Sequence, residues 1–564
     1  MLLAVCILLA YPVANEGYLD DFSYAATALT FARTGHVVYN GWTPATMGWM
    51  IAWGALFIKL FGFSFFVLRM SILPFALASI FLFHRILDRF GVAQRNANIG
   101  ALTLALSPIF FPVATSFMTD VPGLFAILLC VYMCQRAIAA ASERATVLWL
   151  VSAAMLNVAG GTVRQAAWLG ALAMVPSTGW YLRKRRGALF ASLLSASISV
   201  VFVFALMHWF YSRPQYFVDP RMNIAHPHIR TLLEEMLKMF LLVLLLALPM
   251  LAAWWPTLRN TPRASLLRTS AILGLIALCL GDAARRGRLG AWGAPWFPCT
   301  LSTFPLFGPP NIDQLFGSSV RIPTWLGVTL TVLTASAALL VAEQLYNRKM
   351  PRRPATVDAT PGLGSLLWVF GPFSFIYVLL VASRAENNQG VADRYALCLL
   401  PFAIALLLLL YQRSIGPVLP VVTVLVVAVF ALDAVGGTHD YYADQRAGDT
   451  AIRGLTASGV PETSISQSEN RDAWLQVSVA GHMHWNGPAE LDRGPNPPLP
   501  RRVPAVPCSS YIEPVTPVMQ PEYYILFSPS PCLQPSRYPP ISYTAWLPPF
   551  HRNEYIEQPR YTLP

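Results

Sequence analysis

Apolar segments of near-helical span length recur along the first three quarters of the chain, separated by short polar stretches. They fall at about 1–14, 64–83, 98–114, 121–138, 147–160, 165–181, 188–211, 236–255, 268–280, 323–342, 363–382, 396–411 and 417–434. Roughly 20 consecutive apolar residues suffice for a helix to cross a bilayer. The pattern therefore predicts an all-α polytopic membrane protein with about 13 transmembrane helices. The short alternating strands of a transmembrane β-barrel are not seen. The first segment also reads as a signal peptide, with Pro12-Val13-Ala14 before the cut, but it lacks a basic leader. It is expected to be a retained span, with a start further upstream left open. Residues 45–61 are apolar enough to span. Counting them as a span would invert the layout downstream, so they are placed as a juxtamembrane or re-entrant helix in the first outer loop. Phe22 to Thr34 reads as a second, amphipathic surface helix, with Asp20 or Asp21 near its N-cap and Gly35 ending it.

Composition supports the membrane reading. Of 564 residues, 55% are hydrophobic and only 12% charged, about half the charge of a typical soluble protein. Mean hydropathy is +0.50. The net charge of +12 would suggest nucleic acid as a partner in a soluble protein. Here the excess sits in short loops, as in Arg183-Lys184-Arg185-Arg186 and Arg348-Lys349 with Arg352-Arg353. That is topology signal and contact with membrane lipids, so no nucleic-acid partner is expected. The basic loops, roughly 84–97, 139–146, 182–187, 256–267, 343–362 and 412–416, are placed inside. Residues 15–63, 115–120, 212–235, 281–322, 383–395 and the tail are then outside. Two domains are expected: a transmembrane domain over 1–434 and a Pro-rich extracytoplasmic C-terminal domain over 435–564, irregular or in short strands. Six of the eight cysteines lie in or beside apolar segments, as packing residues; Cys508 and Cys532 of the tail could pair outside the cytoplasm.

Against this background the acids stand out. Asp20 and Asp21 open the first outer loop, and Asp120 ends the second. A carboxylate at the interface can take a proton from an attacking alcohol or amine, or hold a divalent cation; base catalysis is worth about 10²–10⁴ in rate. Judged locally, all three also suit helix capping. The outer-edge cations are Arg164, Arg384, Arg394 and Lys59. Arginine at that depth would bind a lipid-linked phosphate by charge-assisted bonds, or simply reach the headgroups. Lys59 fits the second role. His226 and His228 lack a third metal ligand at suitable spacing. No nucleotide-binding loop, haem site or copper site is suggested.

Several fragments, in order, resemble the GT-C glycosyltransferases that use polyprenyl-phosphate sugars, the group that includes protein O-mannosyltransferases and lipid A aminoarabinose transferases. They are Asp20-Asp21-Phe22-Ser23-Tyr24, Leu68-Arg69-Met70-Ser71, Met118-Thr119-Asp120-Val121-Pro122, Val163-Arg164-Gln165, and Asp393-Arg394-Tyr395-Ala396-Leu397 with Pro401. The resemblance implies an inverting hexosyl- or pentosyltransferase in the cell inner (plasma) membrane, with its active site and C-terminal domain extracytoplasmic. The donor would be a polyprenyl-phosphate-linked sugar, and the acceptor a lipid, glycan or protein. Asp20 matches the family's first-loop acid, Asp21 the adjacent acidic position and Asp120 the second-loop acid. Arg164 and Arg394 become donor-phosphate or structural contacts, and a divalent cation on Asp20 and Asp120 is compatible. One element departs: relatives often carry a basic residue before Pro-Pro or His-Pro in the first loop, where this chain has Trp42-Thr43-Pro44-Ala45. A phosphate contact is then missing or supplied elsewhere, and the departure is the best support for the alternative of a non-catalytic GT-C-like subunit. A transporter or flippase of lipid-linked saccharide would instead show mid-span ionisable residues and two related halves, and neither is seen.

Overall fold

In the computed structural model, residues 2–42, 45–212, 229–260, 262–285, 324–347, 362–385, 391–483, 515–530 and 533–560 are described. His226, His228, Cys299, Cys508, Cys532, the basic residues 348–353 and the proline-rich stretch near 488–500 lie outside them. The described chain is mostly helical. In order come α1 (Leu2–Ala10), α2 (Asp21–Thr34), α3 (Trp49–Phe61), α4 (Phe65–Arg89), α5 (Gln94–Ala105), α6 (Phe110–Ala114), α7 (Asp120–Ile138), α8 (Glu143–Val163) and α9 (Val175–Tyr181). They are followed by α10 (Arg186–Tyr211), α11 (Ile229–Leu246), α12 (Leu248–Ala252), α13 (Arg263–Arg285), α14 (Thr324–Asn347), α15 (Leu363–Ala385), α16 (Leu400–Ser414), α17 (Val421–Ala457) and α18 (Glu469–Ala480).

Seven described helices are long and apolar enough to cross a membrane: α4, α7, α8, α10, α14, α15 and α17. An eighth span is possible if α11 and α12, bent by 63° at their junction, count as one. The other five expected segments form shorter, broken or charge-flanked helices, and proline is the commonest reason. The first helix stops before Pro12, and the 98–114 segment breaks at Ser107-Pro108 into α5 and α6. The 165–181 segment becomes a short 3₁₀ turn, a π-helical stretch and α9, with Pro176 near the last junction. Proline removes a backbone donor and clashes with the preceding turn, so an apolar run need not be one straight helix. The 396–411 segment starts as a 3₁₀ turn, Asp393–Cys398, before α16, and the 268–280 segment lies in α13, between charged ends.

Both helices expected in the first loop are present, as α2 and α3, but α2 is not an amphipathic surface helix: its first eight residues, Asp21 to Ala28, are all buried, because the tail and the 115–120 loop pack over it. Helix α2 ends on Gly35 in the left-handed conformation. Helix α3 buries Met50, Ile51, Ala55 and Ile58 and leaves Leu56, Leu60 and Phe61 exposed. The loop leading to α2 is held by Arg69 of α4, which is fully buried. Its guanidinium donates to the carbonyls of Pro12 at 3.3 Å, Ala14 at 2.8 Å and Glu16. It also lies 4.6 Å from the Tyr442 ring centroid.

Helix α17 runs unbroken through residue 434, so the expected domain boundary falls inside one helix. Beyond it the tail is more ordered than its composition predicts. It forms α18 and a sheet of β1 (Ile465–Ser466), β2 (Tyr523–Leu526), β3 (Leu533–Pro535), β4 (Ile541–Thr544) and β5 (His551–Pro559). The order is β1-β2-β5-β3, with β4 also paired to β5. Only β1 and β2 run parallel. Ala451, Ile452 and Leu455 of α17 form a small core with Ile465, Ile525 and Ile556.

The tail grips the first loop. Gln445 and Tyr441 donate to the Gly17 carbonyl at 2.9 and 3.3 Å, and Arg446 donates to those of Tyr11 and Val13. Tyr442 donates to the Thr115 carbonyl at 2.7 Å, and the Met483 N–H to that of Asn40. The first loop, the 115–120 loop and the tail thus share one end of the bundle. The basic loops meet one another elsewhere: Gln412 accepts from the Ala93 N–H at 2.7 Å, and Arg185 donates to the Ala140 carbonyl at 2.8 Å. Arg69→Met is expected to cost about 3 kcal/mol or more, because three carbonyls lose a buried charged donor. Arg69→Lys should recover only part of this, since one ammonium cannot reproduce the planar fork. Thermal unfolding of the purified protein in detergent checks both; an unchanged midpoint in Arg69→Met would remove the assigned role.

Candidate active site

Leu19 has a left-handed backbone, φ 54°, which turns the chain sharply just before Asp20. Bulky residues rarely adopt that conformation unless their surroundings hold them there. Asp20 occupies the N-cap position of α2, but its side chain makes no cap bond. One carboxylate oxygen accepts from the Trp42 indole N–H at 2.9 Å. The other accepts from Arg394 at 2.7 Å. Trp42 is brought there by Asn40, which exchanges hydrogen bonds with Ser23 at 2.8 and 2.9 Å and accepts from the Trp42 backbone N–H.

Asp120 is the first residue of α7, after the N-cap residue Thr119, and neither of its carboxylate oxygens accepts a hydrogen bond from the helix. Its carboxylate pairs with Arg164 at 2.9 Å. Arg164 lies just past the end of α8 and also donates to Thr119 Oγ1 at 3.3 Å. The close approach needs Gly123, where an added Cβ would come within 2.7 Å of the Arg164 Cβ. Arg394 also stands 3.9 Å from Asp120, so one guanidinium lies between the two acids.

Tyr395 is the platform for these cations. The guanidinium carbons of Arg164, Arg384 and Arg394 lie 5.3, 5.6 and 6.0 Å from its ring centroid. Arginine is attracted to the face of an aromatic ring at such distances. The Tyr377 hydroxyl fixes the platform by donating to the Tyr395 carbonyl at 2.9 Å. Buried Tyr24 borders the acids; burial, reinforced by Asp20, pushes its phenol well above the ordinary range and keeps it protonated.

Asp20, Asp120, Arg164 and Arg394 are therefore brought together. Asp21 is not. Its carboxylate is fully buried and accepts from the backbone N–H groups of Tyr18 at 2.5 Å and Phe117 at 3.3 Å. It ties the first loop to the 115–120 loop. Lys59 is exposed on α3. Trp42, Tyr24 and Tyr395 were not singled out from sequence as site residues, although Tyr24 and Tyr395 lie within the fragments that carry the family resemblance. Accessibility separates the acids: the Asp20 side chain is 25% exposed and that of Asp120 only 1%. The Asp20 carboxylate is thus open on one side, whereas Asp120 is enclosed against Arg164. A divalent cation does not fit well here. Arg394 already supplies the positive charge between the acids, and no group of three or more potential ligands exists among the described residues.

Comparison with solved structures finds similarity to ArnT from Cupriavidus metallidurans, both in its apo state and bound to undecaprenyl phosphate. In each case the identity is 15% and the TM-score 0.32, over 73% of this chain and 76% of that one. The S. cerevisiae protein O-mannosyltransferase Pmt1-Pmt2 complex bound to the sugar donor is similar at 14% identity and a TM-score of 0.30. That match covers 37% of this chain and 32% of the other, about a third of its length. No family model matches the sequence, and no curated protein does.

Burial raises the Asp21 carboxyl to about 7, against the opposing effects of Arg69 and the two backbone donors. In the unfolded chain it would titrate near 4. Between these values the folded state holds a proton that the unfolded chain has released. Its contribution to stability is thus full below about pH 4 and is lost as pH rises through about 7. Asp21→Asn should flatten this part of the profile. At low pH it should cost roughly 1 kcal/mol, because the new amide N–H₂ faces a backbone donor. Melting midpoints of wild type and variant at about pH 5 and pH 8 check this; an equal slope in both would assign the dependence to other groups.

Proposed function

We propose that the chain is a membrane glycosyltransferase of GT-C type. It moves a sugar from a polyprenyl-phosphate donor to a lipid, glycan or protein acceptor at the outer face of the membrane. The observation that carries the reading is the Arg394 bridge. It gathers two acids from separate loops beside three guanidinium groups at one end of an apolar bundle. A polyprenyl phosphate combines an apolar chain with an anionic head, so it needs cations at the edge of the hydrocarbon. The fragments on which the sequence resembles this family supply Asp20, Asp120, Arg164 and Arg394.

The chemistry follows from the placement. The acceptor hydroxyl attacks the anomeric carbon from the face opposite the phosphate, and its proton passes to Asp20. The bond between anomeric carbon and phosphate oxygen breaks, and polyprenyl phosphate leaves with the electron pair. Among the described residues, Arg384 is the guanidinium of the three that has no carboxylate partner, and its buried Nε makes no hydrogen bond. It is the cation best placed to meet the donor phosphate, with Arg164 and Arg394 completing the positive wall. The ends of α2, α7, α8 and α15 and the 393–398 turn, not mid-span positions, carry the charged groups of this site, which disfavours the transporter reading.

Asp20→Asn and Asp120→Asn are expected to reduce sugar transfer by at least about 100-fold without changing membrane insertion. Arg384→Met should weaken donor use, seen mainly in KM. The assay supplies purified protein with a radiolabelled polyprenyl-phosphate sugar; full activity in both aspartate variants would remove the proposed roles. For sidedness, a cysteine at the exposed His36 position should react with an impermeant reagent from outside intact cells. Labelling only after the cytoplasm is opened would overturn the outer placement.

A further inference from the structure

The hairpin of β4 and β5 lies along α17 and points one way. Tyr543 of β4 donates to Asp444 at 2.8 Å. Four residues later, Leu547 packs on Gly436, where an added Cβ would come within 3.0 Å of its side chain. The chain thus descends two turns of α17 toward the apolar start of that helix. It then climbs back: Arg552 pairs with Asp440 at 2.9 Å, and Ile556 joins Ala451 and Ile452 in the small core. The lowest point is the tip, Ala545-Trp546-Leu547-Pro548-Pro549-Phe550, which has no charged residue. Trp546 is 44% exposed and Phe550 56% exposed, and both prolines are exposed.

The tip continues a lipid-facing stripe. Val421, Leu425 and Leu432 of α17 are large, apolar and exposed. At 3.6 residues per turn, positions 421, 425, 432, 436 and 439 fall within a sector of about 60°. Gly436 carries Leu547, and His439 stacks on Trp546 with ring centroids 4.2 Å apart. Leu432 and His439 are separated by about 10 Å along the axis. A second landmark agrees: two turns beyond His439, Arg446 binds the Tyr11 carbonyl at the end of α1, whose Leu8 and Leu9 are exposed. The tip therefore stands at the end of the apolar stripe, and tryptophan is enriched where such stripes meet the headgroups.

We infer that the 545–550 tip is a membrane anchor, seated in the phospholipid interface beside α17. The membrane-facing contact of the tail would hold the hairpin, and with it the α17 segment that grips the first loop, at a set depth. Phe550 is replaced by p-benzoylphenylalanine in the full-length chain, and the protein is reconstituted into vesicles of phosphatidylethanolamine and phosphatidylglycerol and irradiated. The same probe at Leu432 marks a lipid-facing position, and at exposed Glu462 a water-facing one. Expected is a phospholipid adduct at 550, by mass, at a yield within about tenfold of that at 432, and none at 462. The inference is overturned if 432 captures lipid while 550 captures none, or if 550 joins only to protein. The substitution replaces an exposed aromatic by a larger one, and a wild-type melting midpoint shows that the fold is intact.

Discussion

A charge buried among apolar helices must find a partner, and in this chain the partners come from far away in sequence. Arg394 and Asp20 are 374 positions apart and meet at 2.7 Å. Asp120 pairs with Arg164 and lies within reach of Arg394. Removing one member of such a pair leaves the other desolvated and alone, which typically costs about 3–5 kcal/mol. The network therefore requires α2, α7, α8 and the 393–398 turn to arrive together. Arg69 applies the same constraint one layer away, with backbone carbonyls as acceptors.

Three aspartates share one chemical group and differ in what surrounds them. Asp21 is buried against backbone donors and staples two loops. Asp120 is buried against a guanidinium and sets its direction. Asp20 keeps a quarter of its side chain open while Arg394 and Trp42 hold it still. A group that takes a proton from a substrate must be both held and reachable, and Asp20 meets both conditions. The arginines divide in a similar way, with Arg164 and Arg394 tied to acids and Arg384 turned to the shared tyrosine platform.

The tail belongs to this organisation. Because α17 leaves the apolar region without a break, its C-terminal half is a continuous post. One face of the post binds the backbone of residues 11–17, and another carries the hairpin. Asp440 secures the hairpin by accepting from the backbone N–H groups of Trp546 and Leu547 and from Arg552. The hairpin and the first loop are thereby linked through one helix.

Hydropathy alone determined that this is a helical membrane protein, because span length and apolarity are local properties. It also located helices α2 and α3 in the first loop, since apolar spacing and the Gly35 stop are written in single segments, but the burial of the first half of α2 was not legible, because it depends on the distant tail and the 115–120 loop. The span count was less legible: prolines and 3₁₀ or π turns shortened helices inside apolar runs, and the cost of those breaks depends on what neighbouring helices supply. The sheet in the tail was hidden because its strands are short and widely separated, and pairing β2 with β5 is a long-range event. Asp20, Asp120, Arg164 and Arg394 could be named as candidates from residue type and position. Which acid is open, which is a staple, and that Tyr395 gathers three arginines were decided only in three dimensions, because desolvation and pairing depend on neighbours that sequence order does not bring close.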